Sequence, residues 1–308
     1  MSAGSVWSVS EPRKLEIEEP VSALNVRVVG GTVNVVGTSD GSPARLEISE
    51  LQGAPLIVSC ADGTLSIAYE DLPWKGFLNF LDRKGWKRNA VVSVTVPTDT
   101  RVEVGVVSAS AVVSAVSGRT NVRGVSGNST LVGLTGPVQA ETVSGDVEAQ
   151  ALTGDLRFNS VSGDLTVIDG AGGGVHADSV SGDMVLDLDP AKGADINLTT
   201  ISGEVAIRLP DPADARVEAN TTTGKVTNAF DDLRVSGQWG AKKITGSLGS
   251  GSGTLKATTV SGSLALLRRP AFEEPQDASG GGPHDSPSSG PRDADPTAPP
   301  TDAEKKVL

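Results

Sequence analysis

The sequence is short of the residues that most enzyme and metal chemistry draws on. It has one cysteine, two histidines, four Trp, five Phe and one Tyr in 308 residues. A lone cysteine, Cys60, excludes any disulfide within the chain. With only His176 and His284 beside it, the usual zinc-ligand spacings are absent. A Ser-His-Asp triad would have to be built on His176. Aromatics are 3% of the chain. Compact cores usually draw much of their buried area from such rings, whereas Val, Leu, Ala and Ile suit thin, layered packing. Cations are also scarce: 26 Lys and Arg stand against 38 Asp and Glu, a net charge of −12. A nucleic-acid partner needs cations to displace the counterions of its phosphates, so the balance argues against one. No run approaches the roughly 20 apolar residues of a membrane helix. Met1 to Lys14 holds neither a basic start nor an apolar core of export-signal length, so the expected location is cytoplasmic. The same scarcities predict no enzyme, no cofactor and no metal.

Glycine is plentiful, and its spacing organises the chain. Gly118, Gly127, Gly136, Gly145, Gly154 and Gly163 lie nine residues apart, each after Ser or Thr, and an aliphatic residue precedes that pair. Gly182, Gly203 and Gly224 continue at 19 and 21 residues, and Gly262 is a late copy. Between the glycines apolar and polar residues alternate: Leu156 and Phe158 stand between Asp155, Arg157 and Asn159. Period two marks a strand with one buried face. A nine-residue unit cannot bury that face alone, so copies must stack. Two units make a coil of 18 residues, and the later spacings stretch it to 19–21. The reading is an all-β, parallel β-solenoid of short strands. An antiparallel meander also fits the period, although the uniform turns favour the solenoid. Val143, Leu152 and Val161 are expected to face the interior, and each turn glycine to take a positive φ.

The chain divides into an N-terminal β region (1–69), an aromatic and basic insert (70–90), the repeats (91–268) and an acidic, Pro- and Gly-rich tail (269–308) expected to be disordered. In the insert, Trp74, Phe77, Leu78 and Leu81 have the spacing of a short amphipathic helix. Trp74, Phe77, Phe80 and Trp86, with Arg83 and Lys87, are the candidate partner-binding residues. Their alternative role is a lid over the end of the solenoid.

Thr142-Val143-Ser144-Gly145-Asp146-Val147, Ser160-Val161-Ser162-Gly163-Asp164-Leu165 and Ser179-Val180-Ser181-Gly182-Asp183-Met184 resemble the repeats of a bacterial family labelled "putative adhesin", domain of unknown function 4097. The resemblance covers roughly residues 7–268. It implies a β-solenoid without established enzymatic activity, and some relatives are linked to envelope stress. The expected function is a non-enzymatic scaffold or binding protein for a protein or cell-envelope component. The alternative is a self-assembling, bactofilin-like filament or other homo-oligomer. A polysaccharide-acting enzyme on a β-helix is a weaker third reading.

Acids follow the turn glycines at Asp146, Asp155, Asp164, Asp183 and Glu204. A calcium ladder would need Gly-Gly-x-Gly-x-Asp turns, so solvated turn chemistry is the stronger reading. Gly172-Gly173-Gly174 lacks the Lys-Ser/Thr ending of a phosphate loop and reads as a repeat turn. His176 reads as a surface strand residue, and Cys60 as a small buried hydrophobe.

Overall fold

The computed structural model describes residues 5–70, 88–238 and 240–270. The regular elements of these residues are all strands. In chain order they are β1 (Ser5–Val9), β2 (Arg13–Ile17), β3 (Ala23–Val28), β4 (Gly30–Thr38), β5 (Ala44–Gln52), β6 (Leu56–Ala61), β7 (Thr64–Tyr69), β8 (Asn89–Pro97) and β9 (Arg101–Val106). The repeats follow as β10 (Ser110–Ser114), β11 (Thr120–Gly124), β12 (Ser129–Val132), β13 (Val138–Thr142), β14 (Val147–Gln150), β15 (Leu156–Ser160), β16 (Leu165–Gly170), β17 (Gly174–Ser179), β18 (Met184–Leu188), β19 (Asp195–Thr200) and β20 (Val205–Leu209). The last are β21 (Ala215–Thr221), β22 (Val226–Asn228), β23 (Arg234–Gln238), β24 (Ala241–Leu248), β25 (Gly253–Thr259) and β26 (Leu264–Arg268).

The strands form a 14-stranded and a 12-stranded sheet, with odd and even repeat strands on opposite sheets. Each repeat strand pairs in parallel with the strand two positions on, not with its sequence neighbour. Thus Val102 faces Thr120, Thr120 faces Val138, and Val138 faces Leu156, always 18 residues apart. Ala111, Ser129, Val147 and Leu165 do the same in the other sheet. This parallel register removes the meander. A bulge between Val167 and Gly170 lengthens the next coil.

The interior between the sheets is aliphatic and continuous from Val9 to Leu266. The alternation read from the sequence places Leu156, Phe158, Leu165 and Val167 in it. The turns divide into two classes that a nine-residue period conceals. Where the chain passes from the 12-stranded to the 14-stranded sheet, the aliphatic residue points inward: Val116, Leu134 and Leu152 are at most 2% exposed. Where it passes back, Val161, Val180, Ile201 and Val260 are 46–51% exposed and Val143 is half-buried; Val125, which follows Gly124 rather than Ser or Thr, is the buried exception at 7%. The expectation for Leu152 therefore holds, while Val143 and Val161 face outward.

The residue three before the glycine separates the classes. In the outward class it is Thr142, Ser160, Ser179, Thr200 or Thr259, whose hydroxyl accepts the glycine N–H at 2.7–3.2 Å. That polar group fills the corner and leaves the aliphatic side chain outside. In the inward class the same position is Ala115, Gly133, Ala151 or Asp169, each with a φ between 53° and 62°. After Ala115, Gly133 and Ala151 the left-handed step turns the following aliphatic residue into the core, and after Asp169 the same place is held by Gly170.

The turn glycines themselves have no positive φ, contrary to expectation. Close approach fixes them instead. A Cβ on Gly145 would lie 2.1 Å from the Gly127 carbonyl oxygen, and one on Gly203 would lie 1.8 Å from that of Gly182. Gly172 meets Gly154 in the same way at 2.5 Å, so the Gly172–Gly174 run is a repeat turn. The preceding Ser144, Ser162 and Ser181 each donate their hydroxyl to a carbonyl one coil back at 3.1–3.2 Å.

Chain order and spatial order part at both ends. The coil β7–β8 lies outside β3–β4, which then receives β9–β10 on its other side. At the far end β25–β26 slots between β19–β20 and the earlier-made β21–β22. Antiparallel strands finish the stack. β1 and β2 pair with β6 and β5, while β24 and β23 follow β21.

Asp187 pins the inserted C-terminal coil. It is 8% exposed and accepts hydrogen bonds from Arg208 and from Arg269, the latter at 2.7 and 3.1 Å. The Arg208 hydrogen bond and then that of Arg269 hold the carboxyl below its ordinary range, against the opposing effect of burial. A lowered folded-state pKa gives stability that is present above the unfolded value and lost as pH falls through the folded one. Asp187→Ala should therefore lower the unfolding free energy by about 2 kcal/mol at neutral pH. In urea titrations the gap from wild type should shrink as pH falls below about 4.

Candidate binding face

The six residues expected to bind a partner, Trp74, Phe77, Phe80, Arg83, Trp86 and Lys87, lie outside the described residues, as does the helix spacing that contains four of the insert's apolar positions. The segment's two flanks are described. Tyr69 closes β7 with its ring buried, and the Arg88 guanidinium stands 5.0 Å from the ring centre. Burial pushes the Tyr69 hydroxyl above its ordinary pKa.

The turn acids are engaged within the fold. The carboxylates of Asp146, Asp164 and Asp183 each accept the backbone N–H of the acid one coil further on, at 2.7–3.1 Å. Asn128 does the same for Asp146. Among the described residues no cluster of His, Cys, Asp or Glu could hold a metal ion. The ladder is turn chemistry repeated at the coil spacing. Cys60 is fully buried, and burial raises its thiol to about 11, with Glu19 beside it acting in the same direction. A thiolate is the reactive form, so native protein should resist iodoacetamide at pH 8 and become labelled once urea unfolds it.

The outward faces of the two sheets differ. On the 12-stranded sheet Val36, Val185 and Leu267 are exposed. On the 14-stranded sheet Val6 and Val235 are exposed on the end strands β1 and β23, while the outward positions of β11 to β17 are polar and charged. In-register pairing sets Asn121 beside Gln139, Gln139 beside Arg157, and Arg157 beside His176. One side chain per coil thus forms a row across the strands. The row borders an open groove of about 680 Å³ whose rim carries Arg101, Arg119 and Arg157. Its short residues are Pro137 and Gly174. None of the three arginines has an ion-pair partner among the described residues. Asp155 and Glu103 also line the groove, and the Asn121 side-chain oxygen is buried without a hydrogen-bond donor. His176 lies on this surface, as expected, with its Nε2 3.6 Å from an Asp195 oxygen.

A second hollow of about 540 Å³ lies on the same sheet between β21, β24 and β25. Arg216, Arg234, Lys243 and Lys256 line it. Lys243 is tied to Glu218 at 2.7 Å and holds that carboxyl below its ordinary range.

The groove was missed in the sequence because its arginines are scattered at 101, 119 and 157. The signal was the 18-residue coil length: Arg101 and Arg119 differ by one coil, and Arg157 occupies the adjoining column.

No curated protein matches the chain in sequence. Among solved structures it is similar to a "putative adhesin" of Parabacteroides distasonis at 13% identity, covering 86% of this chain and 98% of that one with a TM-score of 0.44. A "putative adhesin" of Bacteroides fragilis is 14% identical over 87% and 98% of the two chains, with a TM-score of 0.42. A "putative lipid binding protein" of Parabacteroides distasonis is 15% identical over 84% and 97%, with a TM-score of 0.38. Among the described residues no helix is long and apolar enough to cross a membrane. The family profile described as Toastrack DUF4097 matches residues 36–267, well over half the sequence and the whole run of stacked coils between β4 and β26. The chain belongs to the Toastrack DUF4097 family.

Proposed function

We propose that the chain is a non-enzymatic binding protein that holds an extended partner along the outward face of the 14-stranded sheet. The observation that carries this reading is the row of polar side chains, one per coil, running from Asn121 to His176 beside an open groove. Stacked repeats commonly recognise long partners through such additive surfaces. The partner class is a protein or a cell-envelope component, in keeping with the family. Chemical cross-linking of the tagged full chain in its native cell tests it. A partner captured by wild type and by Val185→Glu, but lost with Arg157→Glu, supports the reading. Capture that survives Arg157→Glu and fails with Val185→Glu moves the binding face to the other sheet and overturns it.

A further inference from the structure

We propose that the groove over β9 to β17 takes an acidic polysaccharide, with sugar carboxylates held by Arg101, Arg119 and Arg157. This rests on the reading of the sheet face as a binding surface and names its ligand class. Arg101 stands one residue before Val102, and Arg119 one before Thr120, its in-register partner. The two guanidinium-bearing residues are therefore lateral neighbours on successive coils, Arg101 at the start of β9 and Arg119 just ahead of β11, strands about 4.8 Å apart. Like charges so placed destabilise a sheet. In a chain with 38 acids and 26 bases, ion-pair partners are not scarce, yet these arginines have none among the described residues. A bound anion relieves the repulsion, and the planar guanidinium suits a carboxylate through two parallel hydrogen bonds.

The rest of the groove favours a sugar over a more highly charged polymer. Glu103 and Asp155 offset two of the three arginines, so the site suits low charge density. Both carboxylates are acceptors for hydroxyl groups. Gln139 donates its amide to Glu141 at 2.6 Å, which leaves the amide oxygen facing the same purpose. No Phe, Tyr or Trp side chain lines the groove. Binding of single-stranded nucleic acid draws on stacking of bases against such rings. The volume, about 680 Å³, falls in the range of small-ligand pockets, and its open form admits a chain that continues beyond it.

The test is calorimetric titration of the full chain with oligogalacturonate, a neutral malto-oligosaccharide and an oligothymidylate. The expected result is binding of oligogalacturonate alone, weakened by added sodium chloride. Arg119→Glu should lower that affinity about tenfold, the size of one charge-assisted contact. Arg45→Glu, on the opposite sheet, should leave it unchanged. Should Arg119→Glu lose its cooperative melting, Arg119→Gln must still weaken binding severalfold. No binding of oligogalacturonate, equal binding by the Arg119 variants, or tighter binding of oligothymidylate would overturn the proposal. Loss of the acidic-sugar ligand while Arg157→Glu still abolishes cross-linked capture discards the ligand class alone and leaves the binding face standing.

Discussion

Gly203→Val does not give a folded protein. The first side-chain carbon at position 203 would sit 1.8 Å from the Gly182 carbonyl oxygen and 2.6 Å from its carbon. Both are backbone atoms, so no rotamer change relieves the overlap. The coils could separate only by giving up ladder bonds such as Ser202 N–H to the Val180 carbonyl at 3.0 Å. The next coil closes on position 203 in the same way, with Gly262 set against the Gly203 carbonyl oxygen. Overpacking a core costs about 1–3 kcal/mol, and each broken hydrogen bond adds about 1. Several such losses together approach the whole stability of a domain, about 5–15 kcal/mol. Gly41→Val is the matched control. Its φ is +74°, and nothing lies within 4 Å of the added carbon, so it should cost only the left-handed strain of about 1–2 kcal/mol. Urea unfolding followed by circular dichroism reads both. A cooperative transition for Gly203→Val at the wild-type midpoint would show that the coils are not in backbone contact there.

Leu152→Asp and Val161→Asp should behave oppositely, although the two residues hold the same place in the nine-residue unit. Leu152 is 2% exposed and Val161 is 50% exposed. A carboxylate at 152 would be buried among aliphatic side chains with no cation, a change expected to exceed about 4 kcal/mol. At 161 it would stand in water beside the existing acid ladder, within about 0.5 kcal/mol of wild type. Thermal denaturation of the two variants side by side decides the matter. Equal destabilisation would mean that the turns are equivalent and that the two-class description is wrong.

Much of the architecture was legible because glycine spacing and alternation are local signals. The alternation of Leu156 and Phe158 with polar neighbours appears as β15, with both apolar side chains buried. The role of the turn glycine was not legible. A turn read on its own offers positive φ as the reason for glycine, whereas the actual constraint is the carbonyl of another coil, 18 or more residues away. The inward and outward turns could have been told apart. Thr or Ser three residues before the glycine marks one class, and Ala, Gly or Asp marks the other. The insertion of β25–β26 between earlier coils has no local signature, because every strand–turn–strand unit looks alike and none encodes its neighbour. The groove followed the same rule: its arginines become a group only once the coil length is known.

The central claim is that strands 18 residues apart are lateral neighbours and strands nine apart lie on opposite sheets. Paired cysteines test it directly. Thr130 and Glu148 face each other in register on β12 and β14, about 4.8 Å apart in the strand-spacing direction, within the reach of a disulfide. Gln139 is on β13, in the other sheet. Mild oxidation should close a bond in the Thr130→Cys, Glu148→Cys protein and none in the Gln139→Cys, Glu148→Cys protein. The reverse outcome, a bond between positions 139 and 148 and none between 130 and 148, would contradict the stacked parallel coil.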